Sequence, residues 1–391
     1  MIKITDPKQC CGCTACASIC AHDAISMQPD ALGFLYPVVD KKKCVDCGLC
    51  EKVCAFNENY DKSQNLQKPD TYAVRHKDIH EVETSRSGAA FIAISDYILD
   101  NGGIVYGVGY KNHFRVVHKR ATTKEERNEF KGSKYVQSDL NGIFRQVKED
   151  LKKGYTVLFS GTPCQTAGLN SFIGKALREN LILVDIVCHG VASPFIWRDY
   201  LAYLEKKQGS KICKVNFRDK LKFGWKAHRE SFKFSNRKTS TSFNYRFYNH
   251  IIFRHSCSNC HYCNIYRPSD ITLADFWGWR NVKIAINKDD KGVSLILINT
   301  IKGQEIFDKI KFKLIIMDVT LQDGLQPNLQ HPSVIHPKRM DFENDYITHG
   351  FSYVSEKYGD MGIKNWHKRF IIATKDIIRR IMLEFKKNSF Q

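Results

Sequence analysis

The 391-residue sequence has no run of 18 uncharged apolar residues, the length that indicates a membrane-spanning helix. Its first residues, MIKITDPKQCC, lack the basic and then apolar order of a signal peptide. No G-x-G-x-x-G motif follows a predicted strand, so a Rossmann-type dinucleotide site is not indicated. We therefore expect a cytoplasmic protein whose thiols stay reduced.

Arginine is missing from residues 1–60, which hold six Lys and seven Asp or Glu and sum to −1. The whole chain has a formal charge of +19, so the remainder carries +20. A basic surface attracts acidic proteins, nucleotides, phosphates or anionic lipid, but it is equally compatible with a generally basic surface without such a role. No known nucleic-acid-binding motif accompanies the charge, and we expect no nucleic acid partner.

Cysteine is plentiful by contrast: the chain has 15, of which nine lie between Cys10 and Cys54. A disulfide scaffold explains them poorly, because such scaffolds are small, secreted and loop-rich. Eight of the nine fall in two runs of C-x2-C-x2-C-x3-C spacing, 34 residues apart. The first run is Cys10, Cys13, Cys16 and Cys20, and the second is Cys44, Cys47, Cys50 and Cys54.

This spacing is typical of two-cluster ferredoxins, in which the fourth cysteine of each run ligates the other cluster. We therefore predict two [4Fe-4S] clusters, one on Cys10, Cys13, Cys16 and Cys54, the other on Cys44, Cys47, Cys50 and Cys20. Cys11 has no counterpart in the second run, where Val45 stands, and we interpret it as a small apolar side chain. Zinc, the alternative, usually takes two well separated cysteine pairs.

The pattern after residue 60 predicts a larger second domain. A polar linker over 61–71 precedes apolar runs that alternate with helical stretches, as in a largely parallel α/β sheet. Helices are predicted at 91–103 and 143–152, and strands at 104–110, 156–160, 181–190 and 293–300. The fold class is an α+β ferredoxin-like N-terminal domain (1–60), then an α/β domain (72–345) with a mostly parallel sheet and an antiparallel insertion between residues 213 and 253. Residues 320–345 are predicted to be a loop.

Residues 346–391 are predicted to form a C-terminal basic amphipathic helix. Apolar residues recur there at three- and four-residue steps, at Ile363, Trp366, Phe370, Ile377, Ile378, Ile381 and Phe385. Such a stripe most often packs on its own domain. Peripheral contact with an anionic membrane surface is the alternative, because eight Lys and Arg residues accompany the stripe.

Several stretches beyond the cysteine runs resemble, in the same order, the beta subunit family of coenzyme F-420 hydrogenases and dehydrogenases. They are SRSGAAF (85–91), GGIVYGV (102–108), FKGSKYVQSDL (130–140), FSGTPCQTAGL (159–169), DIVCHGVASP (185–194), SCSNC (256–260), DITLADFWGW (270–279) and KGVSLILINT (291–300). The resemblance extends from the cysteine runs to about residue 300. It implies an iron–sulfur flavoprotein that passes electrons between clusters, FAD and a substrate or deazaflavin coenzyme.

The residues themselves make sense as a flavin site. SGTPCQ follows a predicted strand directly, and α/β sheets bind ligands at the carboxyl ends of strands. FKGSKY has two lysines around a Gly-Ser turn, suited to a pyrophosphate, and SRSGAA can begin a helix whose N–H groups face phosphate. Each stretch alone is more often just a turn. The candidate FAD-binding residues are Ser87, Gly88, Lys131, Gly132, Ser133, Lys134, Gly161, Thr162, Pro163 and Gln165.

A third metal site is predicted in the second domain. In the family that the chain resembles, cysteines matching Cys164, Cys188, Cys257 and Cys260 recur. Cys263 continues the x2 spacing and is a fifth candidate ligand; it looks like an addition in this sequence, which leaves the identity of the fourth ligand open. A third [4Fe-4S] cluster is favoured over zinc because its neighbours already use clusters. His189, His255 and His261 are the alternative ligands for zinc, and Cys213 is interpreted as a free thiol.

One candidate catalytic residue, His228, lies in FGWKAHRE and could donate a proton near a substrate. In DITLADFWGW, Asp275 could hold a ligand, and Trp277 and Trp279 could flank a flavin. An aromatic cluster at a strand end is more often core packing.

These observations predict an iron–sulfur flavoprotein oxidoreductase. Electrons from ferredoxin or another redox protein would pass through [4Fe-4S] clusters to FAD and a small-molecule substrate, with polysaccharide biosynthesis as the proposed setting. One alternative is an electron-transfer subunit of a larger complex with no substrate site of its own. Another is a non-redox glycan- or nucleotide-binding protein with structural clusters.

Overall fold

The computed structural model describes residues 1–236, 238–243, 250–280, 286–367, 370–371, 373–375, 377–378 and 381. Residues 1–60 form a small unit with one antiparallel hairpin and two short helices. Its elements are α1 (Ala15–Ile19), β1 (Ile25–Pro29), β2 (Leu35–Val39) and α2 (Leu49–Lys52).

The two cysteine runs fold alike. Each helix begins after a residue in left-handed conformation, Thr14 with φ 65° before α1 and Gly48 with φ 73° before α2. These positions are 34 residues apart, the same shift that relates the cysteines. The turn brings the third cysteine of each run, Cys16 or Cys50, into a helix where its side chain is buried. The repeat in the sequence is therefore also a repeat of local structure.

The rest of the chain is built around two sheets. The larger has the strands β3 (Asn65–His76), β4 (Ile104–Lys111), β5 (Arg115–Ala121), β6 (Val157–Gly161), β7 (Leu181–Ile186), β11 (Ile271–Asp275), β12 (Ser294–Thr300) and β13 (Leu314–Asp318). The smaller has β8 (Ile212–Asn216), β9 (Arg229–Phe234) and β10 (Thr239–Phe243). The smaller sheet is antiparallel throughout and is the predicted insertion.

Helices precede or follow most of these strands. They are α3 (Ile79–Thr84), α4 (Ala90–Asp100), α5 (Lys124–Asn128), α6 (Ile143–Lys152), α7 (Pro163–Ile173), α8 (Lys175–Arg178), α9 (Pro194–Gln208), α10 (Lys220–Phe223), α11 (Ile301–Ile310), α12 (Leu321–Gly324) and α13 (Arg339–Lys357). The predicted helix at 143–152 has the observed bounds of α6. The predicted strand over 181–190 is shorter, because β7 ends at Ile186.

The large sheet has the order β13-β3-β12-β11-β7-β6-β4-β5. Its centre is parallel, since β4 pairs with β6, β6 with β7, and β7 with β11 in one direction. The outer neighbours pair in antiparallel fashion. The predicted α/β domain is confirmed, with a sheet that is parallel at the centre and mixed overall. The carboxyl ends of β6, β7 and β11 meet at one edge, where such sheets bind ligands.

Apolar layers cover both faces of this sheet. Helices α4 and α11 pack on one face and α6 and α7 on the other. All seven residues of β12 are buried, which explains the apolar run over its four residues 295–298. The N-terminal unit packs on α7, and its Cys13 and Ala15 belong to the same apolar cluster as Leu169.

Two segments predicted to be irregular are regular in the structure. Most of the predicted linker belongs to β3, in which Thr71 pairs with Leu297 of β12. The polar side chains of this segment give no sign of a strand. Its backbone groups nevertheless form hydrogen bonds with the buried strand β12, and this pairing outweighs the local preference. The predicted loop over 320–345 contains α12 and the start of α13. The predicted domain boundary at residue 346 thus falls inside α13.

Residues beyond α13 include the predicted apolar stripe. Ile363 is 86% exposed, Trp366 62% and Phe370 65%. The described side chains therefore do not pack on the body, contrary to the favoured interpretation; Phe385 lies outside the described residues. Among the helices that the structure describes, none is long and apolar enough to cross a membrane.

Candidate functional site

The first set of thiols lies where the N-terminal unit meets α7. Burial raises the pKa of the Cys16 thiol, and the neighbouring thiols of Cys13, Cys10 and Cys54 raise it further. Cys54 belongs to the second run in sequence but joins the first set in space. Gly168 of α7 makes room for this set, because a Cβ atom there would lie 2.8 Å from the Cys13 sulfur.

The second set of thiols lies at the surface of the N-terminal unit. Cys20, Cys44, Cys47 and Cys50 line one small cavity of about 30 Å³. The backbone N–H of Ile2 donates to the Cys50 sulfur at 3.2 Å, and that of Ala24 donates to the Cys20 sulfur at 3.3 Å. Each set has the membership that crossed ligation requires. Thiols that accept hydrogen bonds from backbone N–H groups suit iron–sulfur clusters.

A third set of thiols gathers around Cys164 in the body. Burial raises the pKa of Cys188 well above its usual value, and the thiols of Cys257, Cys164 and Cys260 raise it further. Cys263 is buried and forms a hydrogen bond with Cys260. The third set therefore contains the four cysteines that the resemblance implies, and Cys263 is hydrogen-bonded to one of them, Cys260.

Cys11 joins the first set to the third. Its S–H group donates toward the sulfurs of Cys13 and Cys164, and this hydrogen bond lowers the pKa of Cys164 to about 7 against the effect of burial. Gln137 holds the backbone here, since its Nε2 donates to the Cys11 carbonyl at 2.8 Å. The sequence offered no signal for this contact, because Cys11 lacks a repeat partner and Cys164 is far away along the chain.

The histidines considered for zinc have other partners. His255 lies 3.1 Å from Glu343, His261 lies 3.2 Å from Glu58, and His189 lies 2.8 Å from His250. Among the described residues, no three His, Cys, Asp or Glu side chains are grouped as ligands of a single metal ion. The iron–sulfur assignment rests on the donor chemistry, because the thiols of a cubane site lie at separate corners around the cluster.

A cavity of about 470 Å³ opens at the carboxyl ends of β6, β7 and β11. This volume falls within the usual range for small-molecule and cofactor sites, roughly 300–1,000 Å³. Most of the predicted FAD-binding residues line it, namely Ser87, Lys131, Gly132, Ser133, Lys134, Gly161, Thr162 and Gln165. His228 and Cys188 line it as well. The cavity thus adjoins the third set of thiols.

Two predicted FAD-binding residues, Gly88 and Pro163, are not among the lining residues. Gly88 fits closely against β3 and β12, because a Cβ atom there would lie 2.3 Å from the Val74 carbonyl oxygen. Pro163 is the first residue of α7 and is buried. Both support the backbone around the cavity.

The SGTPCQ turn is held by a capping box and a buried network. The Thr162 N–H donates to Gln165 Oε1 at 3.0 Å, and Gln165 Nε2 donates to the Ser138 hydroxyl at 3.0 Å. Ser138 contacts Nδ1 of His118, whose Nε2 lies 3.2 Å from the Ser160 carbonyl. Burial lowers the pKa of His118 to about 4, so its ring is neutral and fixes the turn at the end of β6.

Both lysines of FKGSKY already have partners in the chain. Lys134 Nζ donates to the carbonyl oxygens of Glu129 and Lys131 at 2.7 and 3.1 Å, and burial lowers its pKa to about 7. Lys131 lies 2.6 Å from Glu81. The predicted contact of these lysines with a pyrophosphate would require them to leave those partners.

Charged and aromatic residues also line the cavity, at and after the end of β11 and at Arg218. Arg218 donates to Asp275 at 2.8 Å, and the Trp225 indole donates to the same carboxylate at 3.1 Å. Burial would raise the pKa of Asp275, but Arg86 and Arg218 beside it lower the pKa to about 2. Asp275 therefore holds an arginine in place, and Trp277 stacks on Trp225 with ring centroids 4.6 Å apart.

His228 lies beside this group, with Nε2 at 3.4 Å from an Arg218 nitrogen. A guanidinium can only donate, so His228 is the acceptor in this contact. Trp279 does not line the cavity; the Lys226 ammonium lies over its ring at 4.6 Å. Arg218 itself was not predicted, since no motif around it suggested a site.

Two family models match parts of the chain. Residues 154–320 match the model described as the C terminus of coenzyme F420 hydrogenase/dehydrogenase beta subunits. Residues 9–57 match the 4Fe-4S dicluster domain. Both parts of the resemblance found in the sequence are confirmed over these residues.

One solved structure with a similar chain is the F420-reducing [NiFe] hydrogenase complex from Methanosarcina barkeri, studied by xenon derivatization. The identity is 14% and the TM-score 0.46, over 75% of this chain and 91% of that chain. No curated protein sequence gives a significant match.

Proposed function

We propose that this chain, whose residues 154–320 belong to the coenzyme F420 hydrogenase/dehydrogenase beta subunit family and whose residues 9–57 form a 4Fe-4S dicluster domain, is an iron–sulfur flavoprotein oxidoreductase. The observation that supports it most is the continuity of its thiols. Cys11 contacts both Cys13 and Cys164, and Cys188 of the third set lines the cavity. Redox groups held by these residues would lie next to one another.

FAD is proposed to bind in the 470 Å³ cavity. Iron–sulfur clusters supply single-electron transfer, and a bound flavin supplies hydride chemistry. The cavity meets α7 at its N-terminus, where backbone N–H groups and the helix dipole favour an anionic group such as phosphate. The neutral His118 and the Thr162–Gln165 capping box keep this turn in one conformation.

Cys164, Cys188, Cys257 and Cys260 are proposed to hold a third [4Fe-4S] cluster. They interact with one another, whereas Cys263 reaches the set through its hydrogen bond to Cys260. We therefore withdraw Cys263 as a ligand and propose that it supports Cys260.

The substrate is proposed to enter beside Arg218 and Trp277. Arg218, held by Asp275, would orient an electron-rich group of the substrate. His228, which also lines the cavity, would donate a proton to the substrate from its doubly protonated form. The setting in polysaccharide biosynthesis rests on no residue of the cavity, so the class of small-molecule substrate is to be identified by a screen.

Ferredoxin or another redox protein is proposed to bind at the second set of thiols. Cys47 is exposed there, next to Val45 and Leu49, whose side chains are 60% and 44% exposed. The exposed apolar residues after α13, together with the basic residues between them, support peripheral contact with an anionic membrane surface.

The proposal is tested on protein purified without oxygen. We expect flavin in the preparation and roughly twelve irons per chain for three cubane clusters. Photoreduction followed by added compounds should identify a substrate as the one that reoxidises the flavin. A preparation with its iron complete but no flavin, even after reconstitution with FAD, would contradict the flavoprotein assignment.

A pair of serine variants tests the third cluster. Cys188→Ser should lower the iron content by about four per chain and slow reduction of the flavin by reduced ferredoxin. Cys263→Ser is the matched control, because it changes a buried thiol of the same region without removing a ligand. Equal iron in both variants would remove the third cluster from the proposal.

An electron-transfer subunit without its own substrate site is the second candidate, favoured by the beta subunit description of the family. Anaerobic affinity purification of the tagged chain from its source would then recover a catalytic subunit. The isolated chain would show no turnover with any compound, although its cavity would still bind flavin.

A further inference from the structure

Arg254 lies between the first and third sets of thiols and is almost completely buried, with 1% of its surface exposed. Its Nε donates to the Cys10 carbonyl at 2.7 Å, and one Nη donates to Gln137 Oε1 at 2.9 Å. The other Nη donates to the Leu35 carbonyl at 2.9 Å and reaches the Cys10 sulfur at 3.6 Å. Every nitrogen of the side chain is therefore occupied, and one of them points at a cluster ligand.

This guanidinium has no carboxylate partner among the residues that the structure describes. Its other close neighbours are aromatic, with the Tyr36 ring centred 4.2 Å away. The Asp30 carboxylate interacts with Arg254 through its charge but lies beyond ion-pair distance. It accepts hydrogen bonds from the N–H groups of Leu32 and Phe34. A buried cation is costly unless an anion compensates it. The anions available here are the ligated thiolates.

We propose that Arg254 raises the reduction potential of the cluster held by Cys10, Cys13, Cys16 and Cys54. One-electron reduction adds a negative charge to the cluster and its thiolates, and a fixed positive charge beside them stabilises the reduced form. Hydrogen bonds to the ligand sulfurs act in the same direction. Arg254 is thus a positioning residue that directs electrons from the exposed second cluster toward the body.

This inference rests on the dicluster domain and not on the flavin, so it stands even if the cavity binds no FAD. Arg254 also ties the N-terminal unit to the body through the Cys10 and Leu35 carbonyls. A purely structural role would change stability or cluster content but would leave the potential of an intact cluster unchanged.

The test is an anaerobic redox titration of the full chain followed by EPR spectroscopy. Arg254→Met should lower the midpoint of one cluster so that its reduced-to-oxidised ratio at fixed potential falls at least tenfold, which is about 59 mV for one electron. Cys47→Ser changes a ligand of the second cluster, so the step of the titration that it alters belongs to that cluster. Arg254→Met should leave the midpoint of that step unchanged. Arg254→Lys keeps the charge and should shift the midpoint less than the neutral Arg254→Gln.

Arg145→Met is the matched control. Arg145 also joins the body to the N-terminal unit, donating to the carbonyls of Ser18 and Cys20 at 2.9 and 2.8 Å, but it is half-exposed and paired with Asp23. Its removal should leave both midpoints unchanged. Equal midpoints in wild type and Arg254→Gln, an equal shift in Arg145→Met, or loss of the cluster from Arg254→Lys as well as Arg254→Met would overturn the proposal.

Discussion

The N-terminal unit and the body of this chain are stabilised by different means. The body buries all seven residues of β12 and covers both faces of an eight-stranded sheet. The unit has one hairpin, and the apolar cluster of its own has four buried residues, two of which are Cys16 and Cys50. A single hairpin is at best marginally stable in water. The comparison indicates that metal replaces the missing core in residues 1–60, while the large sheet of the body has an extensive apolar core of its own.

Removal of iron should give the largest effect and should separate the two regions. Protein produced without iron should lose hydrogen-exchange protection at the amides of β1 and β2, because metal binding supplies much of the folding free energy of such small domains. The amides of β6, β7 and β12 should keep their protection. Hydrogen exchange followed by mass spectrometry compares the two forms directly. A hairpin that stays protected without iron would show that packing on α7 is sufficient.

Acid should destabilise the body through His118. Burial holds its pKa at about 4, against 6.5 for an ordinary histidine. Between these values the unfolded chain binds a proton that the folded chain does not, so stability falls as the pH falls through this window. At pH 5 the loss amounts to about 2 kcal/mol. Urea unfolding at pH 7 and pH 5, followed by tryptophan fluorescence, measures it, since no tryptophan lies in residues 1–60.

The variant His118→Gln should lose much less stability between the two pH values than the wild type. His22→Gln is the control from the N-terminal unit, because His22 is exposed. Should both variants behave like the wild type, the acid sensitivity would belong to other groups.

The boundary between the two regions can be disturbed at Gly168. A Cβ atom there would lie 2.8 Å from the Cys13 sulfur, so alanine forces the first thiol set to shift. Overpacking costs about 1–3 kcal/mol, and the gain in helix propensity returns about 1 kcal/mol, so a net loss of about 1 kcal/mol is expected. The EPR spectrum of the reduced first cluster should change. Gly174→Ala, at the end of the same helix and in open space, should change stability without changing the spectrum.

Features that depend on short stretches of the sequence were predicted well. The repeat of C-x2-C-x2-C-x3-C predicted which thiols come together in the first and second sets, and apolar periodicity predicted α6 with its observed bounds. The end of β6 at SGTPCQ was predicted because a strand and a glycine turn are both short-range patterns. The antiparallel sheet followed from its alternating residues.

Contacts between distant parts of the chain were not predictable in this way. The bond from Arg254 to Cys10 spans 244 residues, and nothing local distinguishes this arginine from the others. Cys11 was set aside because it broke the repeat, yet it lies between Cys13 and Cys164. The prediction of a linker over 61–71 was wrong for a related reason, since pairing with β12 determines the structure of residues 65–71. Tertiary contact overrides local preference at all three places.

The variant Cys213→Ser should have the smallest effect, and it tests whether the small sheet of the body depends on metal. It lies in β8 of the small antiparallel sheet, is exposed, and its S–H donates to the Lys233 carbonyl at 3.3 Å. Serine can make the same hydrogen bond, so Cys213→Ser should keep the full iron content and change the free energy of unfolding by less than about 0.5 kcal/mol. Iron analysis and urea unfolding beside Cys188→Ser measure the difference. Iron lost from Cys213→Ser would mean that the body binds metal outside the third thiol set, and that its small antiparallel sheet also depends on metal.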